Sequence, residues 1–300
     1  MKSYTTGRNL YGKWTKNSST ANLTLGDEVA NDNYRRICAL KDWSFLHRLR
    51  TTSTVASTQF VNLPYDVDLV ESVFVTVSGN RHTPKLITSR EEWDQLNYST
   101  SPTSDTPQFA FVYNGQIGLC PTPSSSSNVI SINAKVRVID LSIADTTSLT
   151  ITTLANASTA LTTSSGLTVQ MAGQWIRPTY SNTANTGDGQ WYELSSVTNA
   201  TTAVLVRAYG GTSITAGTAA STIAQMPLLP ESFHDLPWVA AASDYWYKEA
   251  DLKRGAAFEK IYDKGIEALK SQYTAHITDL VLEDGEPRGI INPNLTISLS

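Results

Sequence analysis

Apolar residues recur with helical period most clearly between Met226 and Tyr273. Trp238, Ala241, Ala242, Tyr245 and Trp246 fall at i, i+3, i+4, i+7 and i+8, the stripe of an amphipathic helix. A second stripe follows at Phe258, Ile261, Tyr262, Ile266, Leu269 and Tyr273, with Glu259, Lys260, Asp263, Lys264 and Glu267 on the opposite face. Pro230 and Pro237 mark the entry, since proline suits a first turn and breaks an interior. The joint around Asp251 to Gly255 is short and polar, which predicts an antiparallel helical hairpin. Each helix has only one apolar stripe, so other elements must complete the core.

The other end of the chain supplies a candidate wall. Residues 1–22 are polar, with Tyr4, Leu10, Tyr11 and Trp14 scattered among Ser, Thr, Asn and Lys, and read as an arm that orders only by packing. Thr24 or Asp27 is placed to cap a helix along Leu25, Val29, Asn33, Ile37 and Leu40, ending near Lys41. Trp43, Phe45, Leu46 and Leu49 follow as an apolar plug. The two ends of the sequence are expected to form one helical core.

The middle alternates with period two. Val70, Val73, Val75 and Val77 mark a strand, Ser78-Gly79-Asn80 a turn, and His82 to Ile87 the return strand. Ser89 caps a short helix with Glu91 and Glu92 at its positive end and Trp93 and Leu96 facing inward. Phe109, Phe111 and Tyr113 lead into Asn114-Gly115, the strongest hairpin signal in the chain, and Ile117 and Leu119 return from it. Ile130, Ile132, Ala134, Val136 and Val138 make a further strand. From about Ser142 to Ala224, Thr, Ser, Ala and Gly dominate, and only Asp145, Arg177, Asp188, Glu193 and Arg207 carry charge. Short alternations there predict a small sandwich or barrel, with Trp175, Trp191 and Tyr192 available for its interior.

The fold class is therefore α+β: a helical bundle core from the N- and C-terminal helices, β hairpins, and an inserted β-sandwich or barrel-like domain. The expected division is an arm at 1–22, a core at 23–142 plus 225–275, an insertion at 143–224, and an extended tail at 276–300. That tail carries Ile277, Leu280, Val281, Leu282, Ile290, Ile291, Leu295, Ile297 and Leu299 with no helical period, more apolar residues than a solvated segment should expose.

Charge and candidate chemistry narrow the function. The net charge is −4 and no Lys/Arg block occurs, so a dedicated nucleic-acid surface is not indicated. Neither a signal-peptide core nor a membrane-spanning run is evident, which points to synthesis in the cytoplasm. Cys38 and Cys120 are too far apart for a zinc motif and read as buried thiols. His47, His82, His234 and His276 share no ligand spacing. Glu91 and Glu92 lie about 100° apart on their helix, which suits the helix dipole better than a glycosidase pair. Asp66 and Asp68 lack the glycine and distal glutamate of a calcium loop. The Gly-rich stretch from Thr186 to Trp191 lacks the strand-to-helix context of a phosphate loop. His234-Asp235 has no nucleophile beside it. No catalytic, cofactor-binding or metal-binding residue is assigned, and no enzyme activity is expected.

Four segments together resemble the head–tail connector, or portal adaptor, proteins of tailed bacteriophages: NDNYRRICALKDWSFL, LPYDVDLVESVFVTVSGNRHTPKLITSREEWDQLN, FVYNGQIGLCPTPSSSSNVISINAKVRVIDLS and LPESFHDLPWVAAASDYWYK. They span much of residues 31–248 outside the insertion, and their order rather than any single motif carries the likeness. The resemblance implies a virion structural protein in the neck of the particle. It would form a ring of its own copies, commonly twelve, bound to the portal protein and to a tail or nozzle protein. DNA would pass through the lumen without sequence-specific contact, and no membrane is involved. It further implies that the tail residues named above dock on the portal. The insertion departs from the simple, mostly helical members. The alternative from another class is a phage or cell-surface carbohydrate-binding module, in which Trp175, Trp191, Tyr192 and Tyr209 would form a stacking platform.

Overall fold

The computed structural model describes residues 1–98, 103–104, 106–180, 187–215 and 219–273. It is mixed α and β, with helices in the first and last parts of the described chain and two sheets and a barrel between them.

The helical hairpin forms as its period predicts. Helix α4 spans Leu236–Lys248 and α5 spans Leu252–Tyr273, joined by three residues in which Ala250 takes φ 60°. Ser243 Oγ donates to the Gly255 carbonyl at 2.9 Å, and the Leu236 side chain lies against Gly265, so the helices run antiparallel. Ile266 and Leu269 are buried and Phe258 and Tyr262 partly so, whereas Ile261 stands exposed at the edge of the expected stripe.

The N-terminal arm is part of this core. Helix α1, Tyr4–Thr15, begins on Ser3, whose Oγ accepts from the Thr6 N–H, and α2, Thr20–Ala39, begins on Ser19 rather than on Thr24 or Asp27. The buried face of α1 is Tyr4, Gly7, Tyr11, Gly12 and Thr15, a helical stripe with no aliphatic side chain larger than the threonine. Gly7 matters because a Cβ there would collide with the Trp238 indole, so its absence lets α1 lie directly on α4. The inward face of α2 is Asn22, Gly26, Ala30, Tyr34, Ile37 and Cys38, which leaves Leu25 and Leu40 exposed and turns the stripe away from the one expected. Tyr34, Ile37, Trp43, Leu229, Trp238 and Leu269 share one apolar cluster drawn from both ends of the sequence. Trp43 and Leu46 plug it, but Leu49 points outward.

Two four-stranded sheets form the second part. One has the order β1 (His47–Ser53), β8 (Val129–Val136), β3 (Val67–Val77), β4 (Asn80–His82); the other β2 (Phe60–Asn62), β7 (Gln116–Cys120), β6 (Phe109–Tyr113), β5 (Lys85–Ile87). Val73, Val75, Ile130 and Ile132 of the first meet Val61, Ala110, Ile117 and Leu119 of the second in a shared apolar layer. Asn114 and Gly115, at φ 49° and 72°, make the two-residue turn between β6 and β7. The return strand expected over His82–Ile87 is instead two pieces. Pro84 cannot donate to a ladder, so β4 pairs with β3 in one sheet while β5 runs parallel to β6 in the other. Helix α3, Arg90–Tyr98, covers the second sheet through Trp93, which stacks on Phe111 at 5.3 Å.

The third part is a closed six-stranded barrel. Its order is β10 (Ala160–Thr163), β13 (Thr202–Leu205), β12 (Tyr192–Asn199), β11 (Trp175–Pro178), β14 (Ala219–Ala224), β9 (Thr146–Leu154), and β9 pairs back to β10. Leu149, Ile151, Ile176, Tyr192, Leu194 and Ile223 fill it. Trp175 and Trp191 do not: both are half-buried on its outside, and Arg177 lies 4.9 Å over the Trp191 ring. Closure explains the composition, since short Thr/Ser/Ala strands bury a small interior and a closed sheet has no edge.

Candidate functional site: the seam between body and barrel

The residues singled out for chemistry lie apart and serve local structure. Glu92 pairs with Lys85 at 3.2 Å on the surface, and Glu91 is exposed beside it at the start of α3. His47 lies between Asp42 and Glu71. His234 is buried: its Nε2 donates to the Leu229 carbonyl at 2.8 Å and its Nδ1 accepts the Lys2 N–H at 3.2 Å. Burial outweighs the nearby carbonyls and lowers its pKa, so the ring is neutral. Asp235 pairs with Lys2 instead of turning toward His234. Both cysteines are buried and neither is in a disulfide, and burial pushes the Cys38 thiol up to about 12, far from reactive thiolate. Among the described residues, no group of three His, Cys, Asp or Glu is placed to hold a metal ion. His276 and the nine apolar tail residues from Ile277 to Leu299 lie outside the described residues.

The four aromatics considered as a stacking platform are split between interior and exterior. Tyr192 and Tyr209 are buried together in the barrel, ring centres 5.4 Å apart, and the Tyr192 hydroxyl donates to Asp188 at 2.6 Å. Trp175 and Trp191 remain outside, so no common exposed face presents all four.

What the fold does bring together is a charged seam between the edge strand β1 and barrel strand β12. Arg48 Nη1 donates to both carboxylate oxygens of Glu193 at 2.9 Å. Arg50 donates to Asp66 at 2.6 Å and reaches Glu193 at 3.2 Å. All four side chains are largely buried. Burial works against the Arg50 charge, but Asp66 and Glu193 outweigh it and raise its pKa, so the guanidinium stays charged. Beside it, Tyr65 donates to the Ala172 carbonyl of the barrel. Gly173 sits under that phenol: its φ is 78°, and a Cβ would run into the Tyr65 oxygen.

A second tie holds the two connections that enter and leave the barrel. Gln225 Oε1 accepts from the Ser142 and Ile143 N–H groups at 2.8 and 2.9 Å, and its Nε2 donates to the Asp140 carbonyl. Asp145 accepts from Ser3 Oγ at 2.7 Å, its own N–H donates to Thr5 Oγ1, and the Tyr4 N–H donates to the Gln225 carbonyl. The start of α1 is therefore stitched to both barrel connections, and the barrel is held at two separate places. Sequence reasoning had no signal for these ties, because their members lie far apart in the chain.

Residues 8–161 match the SU10 adaptor protein family. The chain belongs to this family. The match takes in most of α1, all of α2, both sheets, α3 and the first barrel strand, and ends at the start of β10; α4, α5 and most of the barrel lie beyond it. No curated protein matches the chain. Membership supports a structural adaptor of a bacteriophage particle, in contact with other phage structural proteins, from a family that is not typically enzymatic. Among the described residues, no helix of this SU10 adaptor family member is long and apolar enough to cross a membrane.

Proposed function

We propose that the protein is a head–tail connector that assembles as a ring under the portal, most simply of twelve copies, and joins the capsid to the tail or nozzle. DNA passes through the lumen without sequence-specific contact. The observation that carries this reading is the family match across residues 8–161, the part that holds most of α1, all of α2 and both sheets. The clustering of residues from α1, α2, α4 and α5 supports a helical bundle as the subunit's framework, with the sheets and barrel projecting from it. A ring of identical copies closes through head-to-tail contacts, and a framework tied at two places to its projecting barrel presents the same rigid faces in every copy. The apolar residues from Ile277 to Leu299 are proposed as the portal anchor, by strand addition and side-chain burial.

Reconstruction of the virion tests the proposal. The expected result is a ring of this chain at the portal vertex. Density for it only at the tail tip, or only on host-facing fibres, would exclude a connector role.

A further inference from the structure

A cleft of about 610 Å³ runs along the seam, between β1 and the barrel. One wall includes Leu49, Arg50, Thr51 and Thr52 in unbroken succession. Consecutive strand residues point to opposite faces, so a wall that includes four in a row is the backbone edge itself. Among the described residues β1 pairs with β8 on one side and is last in its sheet, which leaves the N–H and C=O groups of its other edge, the one along the cleft, without a strand beside them. The barrel wall presents Val169, Val204 and Val206, and Leu49 stands across from them; all four are exposed, Val169 at 69%. Arg50 and Glu193, which also line the cleft, are already paired with each other. The site therefore offers strand hydrogen bonds and apolar contact, with no spare charge to satisfy.

The chain contains a segment that suits it. Residues 292–300 are uncharged, and Leu295, Ile297 and Leu299 alternate with Thr296 and Ser298, giving a strand one apolar and one hydroxyl face. The described chain stops at the right place. Tyr273 packs on Phe45 at 6.1 Å, and its carbonyl accepts from Ser44 Oγ at 3.3 Å, three residues before β1 begins. From there the length of β1 is covered by roughly eight to ten extended residues at about 3.3 Å each, and residues 274–294 provide more than that.

We infer that Leu295–Leu299 of the same chain lies in this cleft as an added strand on β1 while the protein is free, and leaves it on assembly. The inference builds on the reading of these residues as the portal anchor: a subunit that must stay soluble before assembly covers both its open strand edge and its apolar tail by pairing them.

The experiment uses the dilute full-length protein with no portal present, so its outcome is independent of attachment. Hydrogen exchange at residues 49–52 is compared between the natural chain and a variant carrying Leu295→Ser, Ile297→Ser and Leu299→Ser. The expected result is loss of protection at 49–52 alone; equal protection in both proteins overturns the inference. A second measurement pairs Ile297→Cys with Val204→Cys under mild oxidation, where buried Cys38 and Cys120 do not compete. A cross-link at monomer mass supports docking in the same chain. A cross-link found only at dimer mass assigns the cleft to a neighbour's tail and overturns it, as does no cross-link at all.

Discussion

Arg48 on β1 and Glu193 on β12 are 145 residues apart in sequence, yet the arginine's Nη1 lies 2.9 Å from both oxygens of the glutamate. With Arg50 and Asp66 beside them, they form the charged contact between the sandwich and the barrel. Removing one partner from such a pair leaves the other ionised and poorly solvated, which costs more than losing both. Glu193→Gln is expected to destabilise by about 1.5–3 kcal/mol, as for a hydrogen bond to a charged group. Adding Arg48→Met should recover part of that loss. Thermal midpoints of the two variants check this; an unchanged midpoint for Glu193→Gln would mean the pair is screened by water after all.

Gly173 provides a sharper steric test. Its φ of 78° is costly for any residue with a Cβ, and the Tyr65 hydroxyl occupies the space such a group would need. Gly173→Ala should cost about 1–2 kcal/mol for the backbone alone, with the clash added. Tyr65→Phe in the same chain should relieve the clash and leave the backbone cost. Additive effects of the two substitutions in melting experiments would show that the tyrosine does not press on this site.

Excision of residues 146–224 should leave the helices folded. The Ser142 and Ile143 N–H groups already bond to Gln225, so the two cut ends are neighbours and a short Gly/Ser bridge closes them. The proposed division into a body and an inserted domain predicts a retained helical signal in circular dichroism, with a lower melting point because Arg48 and Arg50 lose Glu193. Loss of the helical signal would show that the barrel is integral to the body.

His234 gives the fold a dependence on acid. Its folded pKa lies below the value of about 6.5 for the unfolded chain, so the unfolded state binds the proton more readily. The stability it contributes is fully present above pH 6.5 and is lost as pH falls from there toward the folded pKa. His234→Gln should flatten the slope of the melting point against pH below about 6.5. A slope equal to that of the natural protein would assign the acid sensitivity elsewhere.

Truncation after Tyr273 tests the anchor. The truncated chain should stay folded, because α5 is complete at Tyr273 and its buried contacts lie upstream, and should melt lower only by what a strand docked on β1 contributes. It should fail to co-sediment with portal-bearing capsids. Full attachment would remove the tail from that role, and failure to fold would place those residues in the core.

The helical hairpin of α4 and α5, the Asn114-Gly115 turn, the short helix around Trp93 and the β-rich character of the stretch that forms the barrel were legible because each is written within a few neighbouring residues. Period, turn chemistry and capping act over one or two turns of chain, and a sequence displays them directly. The face of α1 was not legible, since Tyr4, Gly7, Tyr11 and Thr15 make a buried stripe only when Trp238 packs into the space that Gly7 leaves. The exposure of Leu49 and Ile261 and the outward position of Trp175 were hidden for the same reason: burial depends on what arrives from elsewhere in the chain. The His82–Ile87 segment was divided by where each half found a partner strand, with Pro84 allowing the break. Glu193 meeting Arg48, and Gln225 joining both barrel connections, belong wholly to tertiary structure. Charge and hydrogen-bonding capacity are visible in a sequence, but which donor meets which acceptor is settled only when packed layers set them within 3 Å.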